Sequence, residues 1–303
     1  MVFCREDSAN PSGFIFRGQD KWGFGLWQPS EAAEAFAQQS KEQWQHEQEQ
    51  RRIENERLRQ QQIANQLPAV ERDKFYQKLL AQLPVEDTEL SDLKNRGFTD
   101  EQIRVDGYRS VNQWERLSGS FPSNLPGILA NGNLNSQPGC IFPIPDVDGL
   151  VVALAIRLTD GSNGRYRWLT SATKKNPNGA TPHLDGELPL SVFEPSELRA
   201  DAIWLAEGVG IKPSLTRYRL GVPVVGASSG LFSGSPNTSK ITLEKLSAKY
   251  QTQQLVIAVD AGDSTNAHVC RRWQGEFEFL RSLGYELQIA WWGQLHKSHA
   301  DID

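Results

Sequence analysis

The chain has 303 residues, of which 38% are hydrophobic and 23% charged, with a formal net charge of −5. This length allows two domains, or one domain with appendages. The negative net charge excludes a polycation, so any contact with nucleic acid has to come from a local basic patch. No run of about 18 apolar residues is present, so no membrane-spanning helix is expected.

The three cysteines, Cys4, Cys140 and Cys270, lie far apart and form no C-x-x-C pair. A complete zinc site within the chain is therefore not expected, and the sparse cysteine content fits a reducing compartment. The first residues lack the apolar segment of a secretory signal. We therefore expect a cytoplasmic protein.

The N-terminal third begins with two short aromatic segments, at residues 13–18 and 22–27, that predict a small β remnant over residues 1–29. Residues 30–67 are rich in Gln, Glu and Arg and predict a helical linker that begins at Ser30. Helical spacing pairs Glu47 with Arg51, Glu49 with Arg52, and Glu54 with Arg57. The apolar positions keep no heptad, which favours a solvated connecting helix over a partner-binding one.

Residues 68–200 predict a small α+β subdomain. Thr99 and Gln102 have the spacing of a capping box that opens a helix, and residues 140–170 predict β-hairpins at two Asp-Gly turns. Arg157, Arg165 and Arg167 lie in the second hairpin, in the most basic stretch of the chain. These arginines either line a solvated strand face or contact a polyanion.

From residue 201 to residue 303 strands and helices alternate at short spacing. Apolar runs at 203–206, 222–225, 255–259 and 286–291 predict strands, and the segments between them predict helices, one of them ended by Gly221. Such alternation predicts a parallel sheet with right-handed crossovers and helices on both faces.

Acidic residues follow two of these predicted strands. Glu207 comes after the first, and Asp260 and Asp263 come after the run at 255–259. Because parallel sheets bind ligands at the carboxyl ends of their strands, we expect the three carboxylates to meet and hold Mg²⁺ or Mn²⁺. The alternative is that they cap helices or form ion pairs. Lys212, at the start of the next helix, and Lys297, beyond the last strand, are candidate phosphate contacts.

The span 204–303 resembles a TOPRIM domain, the fold shared by bacterial DNA primases, topoisomerases and related nucleases. That family has Glu-Gly after its first strand and D-x-D after its third. Glu207-Gly208 matches the first motif and Asp260 matches the first aspartate, whereas the second aspartate is displaced to Asp263. The resemblance implies a TOPRIM-like α/β domain with metal ligands at these positions.

Residues 68–303 also resemble the primase-related region of cyanobacterial plasmid replication proteins, a TOPRIM-related family. The matching stretches are Gly107-Tyr108-Arg109-Ser110, Arg165-Tyr166-Arg167-Trp168-Leu169, Glu207-Gly208 with Lys212-Pro213, and Ala290-Trp291-Trp292-Gly293-Gln294 with Lys297-Ser298-His299. Such proteins carry a zinc ribbon before this region and a helicase after it. The resemblance implies that both are truncated here, with Cys4 as a remaining ribbon ligand.

We therefore expect an α/β protein with a C-terminal TOPRIM-like parallel sheet, preceded by a small α+β region and a long polar helix. The resemblance implies a primase-like component of plasmid replication that transfers nucleotides and has DNA, nucleoside triphosphates and a replicative helicase as partners. Glu207 would be a metal ligand or general base, Asp260 and Asp263 metal ligands, and the basic hairpin a template contact. The alternatives are a non-catalytic DNA-binding module and a Mg²⁺-dependent phosphatase or nuclease.

Overall fold

Residues 1–60 and residues 61–303 form two separate units. The structure, a computed structural model, describes residues 2–4, 13–19, 25–160, 166–299 and 302. The predicted division of the chain at residues 29, 67 and 200 stays a prediction. Across the described ranges, no helix combines the length and the apolar composition needed to cross a bilayer.

The first unit begins with a three-stranded antiparallel sheet. Its strands are β1 (Val2–Cys4), β2 (Phe14–Gln19) and β3 (Gly25–Pro29), in the order β1-β3-β2. The two aromatic segments thus form strands as predicted, while most of the turn expected between them, at residues 20 and 21, lies outside the described residues. Trp27 is buried and packs against Phe16 with 5.0 Å between ring centroids.

A long helix, α1 (Ser30–Asn65), follows the sheet. The ion pairs expected from its sequence form, with 2.7 Å between Arg52 and Glu49 and 2.6 Å between Arg57 and Glu54. Trp44 and Ile53 are more than half exposed. The polar helix is therefore confirmed, and its described side chains from residue 43 to residue 57 are all exposed.

The second unit opens with three helices and a four-stranded antiparallel sheet. The helices are α2 (Ala69–Leu80), α3 (Asp87–Asn95) and α4 (Asp100–Val105). The strands are β4 (Arg109–Val111), β5 (Gly139–Pro145), β6 (Val151–Leu158) and β7 (Tyr166–Trp168), in chain order across the sheet. The predicted capping box opens α4, because the Thr99 side chain accepts from the Gln102 N–H and the Gln102 side chain accepts from the Thr99 N–H.

A five-stranded sheet follows, in the strand order β12-β11-β9-β10-β8. Its elements are β8 (Ser191–Phe193), β9 (Ile203–Glu207), α5 (Ile211–Leu220), β10 (Val224–Ala227), α6 (Pro236–Tyr250), β11 (Gln254–Ala258), α7 (Ala267–Ser282) and β12 (Glu286–Ala290). Strands β9 to β12 are parallel, which confirms the predicted α/β class. The antiparallel edge strand β8 was not predicted, since three residues give no readable pattern.

Helix α5 joins the two sheets of the second unit. Ile211 and Leu215 of α5 belong to the same apolar cluster as Phe98, Tyr108 and Phe142. The helix ends at Gly221, whose φ of +66° is the left-handed conformation that glycine adopts without strain. This packing matters for the site because α5 begins only four residues after Glu207.

A buried polar network also connects α5 to the turn that follows α4. Asp106, directly after α4, accepts hydrogen bonds from Arg217 at 2.7 Å and 2.9 Å and from Tyr218 at 2.9 Å. The side chains of Arg217 and Asp106 are only 11% and 5% exposed. Burial first, and then the Asp106 charge, raise the pKa of Tyr218, so its hydroxyl stays protonated and continues to donate.

We expect Asp106→Ala to lower the free energy of unfolding by about 3–5 kcal/mol, because it leaves the Arg217 charge buried without its partner. Urea unfolding followed by circular dichroism measures this. Glu101→Ala is the matched control, since Glu101 forms an exposed pair with Arg104 on the same helix and should change the stability little. Equal losses in the two variants would contradict the importance of the buried network.

Candidate functional site

Two acidic residues lie side by side at the carboxyl edge of the parallel sheet. In the register of β9 with β11, Ala206 is opposite Ala258, so Glu207 ends β9 where the chain leaves β11 towards Asp260. This is the convergence predicted from the sequence for Glu207 and Asp260. Both acids are partly exposed there.

The two acids separate two cavities. The first, the acid cavity, has a volume of about 400 Å³ and contains all three predicted carboxylates. It is lined by Glu207, Asp260, Ala261, Asp263, Val269, Arg272, Lys297 and His299. The predicted residue Lys297 therefore lies in the same cavity as the carboxylates.

The second cavity, the basic cavity, has a volume of about 380 Å³ and lies between β7 and the start of α5. Its wall combines basic and aromatic side chains with a glycine-rich backbone. It is lined by Arg96, Ala155, Tyr166, Arg167, Trp168, the segment 207–212, Ser228, Ser229 and Asp260. The predicted residues Lys212 and Arg167 thus lie here, and the N-terminus of α5 adds backbone N–H groups that favour an anion.

Each of the two central acids is paired with a cation. Lys212 Nζ donates a hydrogen bond to Asp260 Oδ1. Arg272 Nη2 donates to Glu207 Oε2 at 2.9 Å. Arg272 was not predicted, because nothing in the sequence indicates which face of α7 points towards the end of β9.

Asp263 is held by the protein itself. Its Oδ2 accepts the indole N–H of Trp273 at 3.0 Å and the backbone N–H of Asp260 at 3.2 Å. These bonds fix the turn after β11 and orient the displaced aspartate. Trp273 is the second residue near the site that the sequence did not indicate.

The remaining basic residues of the predicted hairpin lie in different surroundings. Arg157, on β6, donates to Asp92 of α3, which also accepts from Arg96 at 3.2 Å. Arg157 lines neither cavity. Its partner Asp92 also binds Arg96, which lines the basic cavity. Arg167 Nη1 donates to Gln137 at 2.8 Å. Arg165 lies outside the described residues.

The donors around the acid cavity fit Mg²⁺ or Mn²⁺ in kind, since carboxylate oxygens are the ligands that hard cations prefer. Their arrangement is less favourable. Within the part of the chain that the structure describes, no group of three or more His, Cys, Asp or Glu side chains is arranged so that it could hold a metal ion. Glu207, Asp260 and Asp263 thus share one cavity but not, in this arrangement, one ion.

Two of the cysteines are free thiols. Cys140 is buried, which raises its pKa to about 12, and Cys270 is partly exposed. Cys4 was expected to be a remaining ligand of a zinc ribbon, and its side chain lies outside the described part of the chain.

The segment after β12 borders the acid cavity and packs on the 260–263 turn. The N–H of Gly262 donates to the carbonyl of Gln294 at 3.0 Å. Gln294 is fully buried and donates to the carbonyl of Ala290 at 3.0 Å. Gly262 has a φ of +85°, and a Cβ there would lie 2.8 Å from Lys297 Cγ. The turn therefore needs glycine both for its conformation and for the close approach of Lys297.

Comparison with solved structures identifies the fold. The chain is similar to a DNA primase domain from Pseudomonas aeruginosa, with a TM-score of 0.54 and 14% identity over 78% of this chain and 73% of that chain. It is also similar to a DnaG primase catalytic domain bound to ssDNA, with a TM-score of 0.51 and 12% identity over 73% and 71% of the two chains. The protein therefore has the fold of DNA primase catalytic domains.

The comparison with a longer primase structure shows how much of that chain this protein covers. The chain covers 51% of the Aquifex aeolicus primase structure that contains zinc-binding and RNA polymerase domains, with 72% of this chain aligned, 14% identity and a TM-score of 0.46. It thus spans about half the length of that chain. No family model matches the sequence, and no curated protein matches it.

We expect Gly262→Ala to destabilise the protein more than Gly149→Ala. Gly149 has a similar φ of +77° but open space around it, so alanine there adds only backbone strain, about 1–2 kcal/mol. At Gly262 the contact with Lys297 adds to that strain. Urea unfolding measures both losses, and equal losses would show that the 260–263 turn tolerates the displacement of Lys297.

Proposed function

We propose that this chain is a primase-like component of plasmid DNA replication that binds DNA, nucleoside triphosphates and Mg²⁺ or Mn²⁺, and transfers nucleotides. The observation that carries the proposal is the position of Glu207 and Asp260 between an acidic and a basic cavity. A polymerising site needs both halves, because it brings a divalent cation and a phosphate chain to the same reacting atoms.

The acidic half supplies the candidate metal ligands. Glu207, Asp260 and Asp263 would hold the ion, as the TOPRIM resemblance implies. The chemistry that Mg²⁺ or Mn²⁺ supplies when bound is stabilisation of the charge on the attacking and leaving oxygens. Glu207 is also the candidate general base, since its carboxylate lines both cavities, where it could accept a proton from the attacking hydroxyl.

The basic half supplies the candidate phosphate contacts. Lys212 and the N-terminus of α5 line the same cavity, and an ammonium beside a helix N-terminus favours phosphate. Lys297 is the corresponding candidate in the acid cavity. Arg157, Arg165 and Arg167 are candidate contacts for the template backbone, which binds mainly through basic side chains.

The aromatic wall of the basic cavity supports a nucleotide or single-stranded ligand over an inorganic anion. Tyr166 is 49% exposed, and Trp168 lies two residues away on β7. Exposed aromatic rings beside cations are the usual means of binding unpaired bases, because every base has a face that stacks. The ssDNA bound to the similar DnaG catalytic domain supports the same ligand class here. A replicative helicase is the partner that the sequence resemblance implies.

A non-catalytic DNA-binding module is the second candidate function. It is favoured by one observation, that no described group of three or more acidic, His or Cys side chains is arranged to hold a metal ion. Such a module would bind DNA in the presence of EDTA and would tolerate Asp260→Asn. Gel retardation of single-stranded DNA with and without EDTA separates this function from a metal-dependent one.

We expect Glu207→Gln to reduce primer synthesis at least about 100-fold, because the amide can neither accept the proton nor carry charge to an ion. The assay measures incorporation of labelled nucleoside triphosphates on single-stranded DNA with Mg²⁺. Glu278→Gln, an exposed position on α7, is the matched control and should retain full activity. Equal product from wild type and Glu207→Gln would contradict the catalytic proposal, and nicking of plasmid DNA would indicate a nuclease instead.

A further inference from the structure

The two central carboxylates have counter-ions supplied by the chain. Lys212 binds Asp260, and Arg272 binds Glu207 at 2.9 Å. Both pairs are partly shielded from water, with side-chain exposures of 12% for Lys212 and 31% for Asp260, and of 25% for Arg272 and 28% for Glu207. Solvent therefore screens these pairs less than it screens an exposed surface pair.

Among the described residues, the charges around the acid cavity also balance. Three carboxylates, Glu207, Asp260 and Asp263, face three cations, Lys212, Arg272 and Lys297. Asp263 is further held by Trp273 and the 260–263 turn. A divalent cation that approaches these side chains meets as many cations as carboxylates, so the resident cations oppose its binding to Asp260 and Glu207.

We propose that Lys212 and Arg272 are resident counter-ions that compete with a divalent cation for Asp260 and Glu207, so that the metal binds by displacing them. This inference rests on the metal-binding role proposed above for these carboxylates. It accounts for three carboxylates lining one cavity without forming a metal-binding group. Lys212 and Arg272 are positioning residues in this sense, because they act through the carboxylates.

The Lys212 ammonium, once displaced from Asp260, lies at a cavity that favours an anion. Lys212 lines the basic cavity beside the N-terminus of α5, where an anionic phosphate group is favoured. When a metal ion binds in the acid cavity and displaces Lys212 from Asp260, the Lys212 ammonium becomes available to an anion in the basic cavity. Metal and phosphate binding are therefore positively coupled through this one side chain.

The test is Mn²⁺ affinity in the absence of nucleotide and DNA, measured on the full chain from the electron paramagnetic resonance signal of free Mn²⁺. We expect Lys212→Met to bind Mn²⁺ at least tenfold more tightly than wild type, because the substitution removes a cation that competes for Asp260. Lys212→Gln, which keeps a hydrogen-bond donor but not the charge, should do the same and covers the case in which the methionine variant fails to fold. Lys245→Met is the control, since Lys245 pairs with Asp148 at neither cavity and should bind as wild type does.

Unchanged or weaker Mn²⁺ binding in the folded Lys212 variants would overturn the inference. If Glu207→Gln abolishes Mn²⁺ binding while the Lys212 variants bind as wild type does, the metal site stands and only the competition is wrong. If no variant binds Mn²⁺, the metal site and the inference both fall. Tighter binding in Lys212→Met, together with full primer synthesis by Glu207→Gln, would support the competition and remove the proposed catalytic role.

Discussion

The parallel pairing of β9 with β11 is the constraint on which the candidate site depends. Its register sets Ala206 opposite Ala258, and the two acids therefore leave the sheet at one edge. Because side chains alternate along a strand, a slip of one residue would turn Glu207 to the opposite face of the sheet. The apolar residues of both strands oppose such a slip, since Leu205 and Ile257 are fully buried members of one apolar core.

Close backbone packing then joins this edge to the other sheet. A Cβ at Gly226 would lie 2.3 Å from the carbonyl oxygen of Gly208, and a Cβ at Gly210 would lie 2.1 Å from the ring of Phe142. The segment after Glu207 therefore packs against β10 at Gly226 and against β5 at Gly210, and at these two positions a side chain does not fit. This contact brings Tyr166, Arg167 and Trp168 of the antiparallel sheet to the acids of the parallel sheet and so forms the basic cavity.

Sequence patterns determined the elements better than the partners of individual side chains. Helix α5 ends at Gly221 and α4 begins with its capping box because both signals are local and lie within a few residues. The convergence of Glu207 and Asp260 was also predictable, since strand order alone brings the ends of parallel strands together. The cation on Glu207 was not, because Arg272 is 65 residues away and its direction depends on how α7 packs. Arg157 shows the same limit, since its partner Asp92 lies in a helix 65 residues earlier.

The pairing of basic residues around the site has a physical reason. A cation that is removed from water without a partner is costly, which is why partly buried lysines and arginines near the two cavities are held in ion pairs. Asp92 does this for Arg96 and Arg157, and Asp260 does it for Lys212. When a phosphate binds such a cation, a phosphate oxygen replaces the carboxylate oxygen as its partner. The exchange needs no excess of positive charge, and the chain has a net charge of −5. In the function proposed above, such an exchange of ion-pair partners would let a local patch bind an anion and would leave a carboxylate ready for a metal, without excess positive charge on the chain.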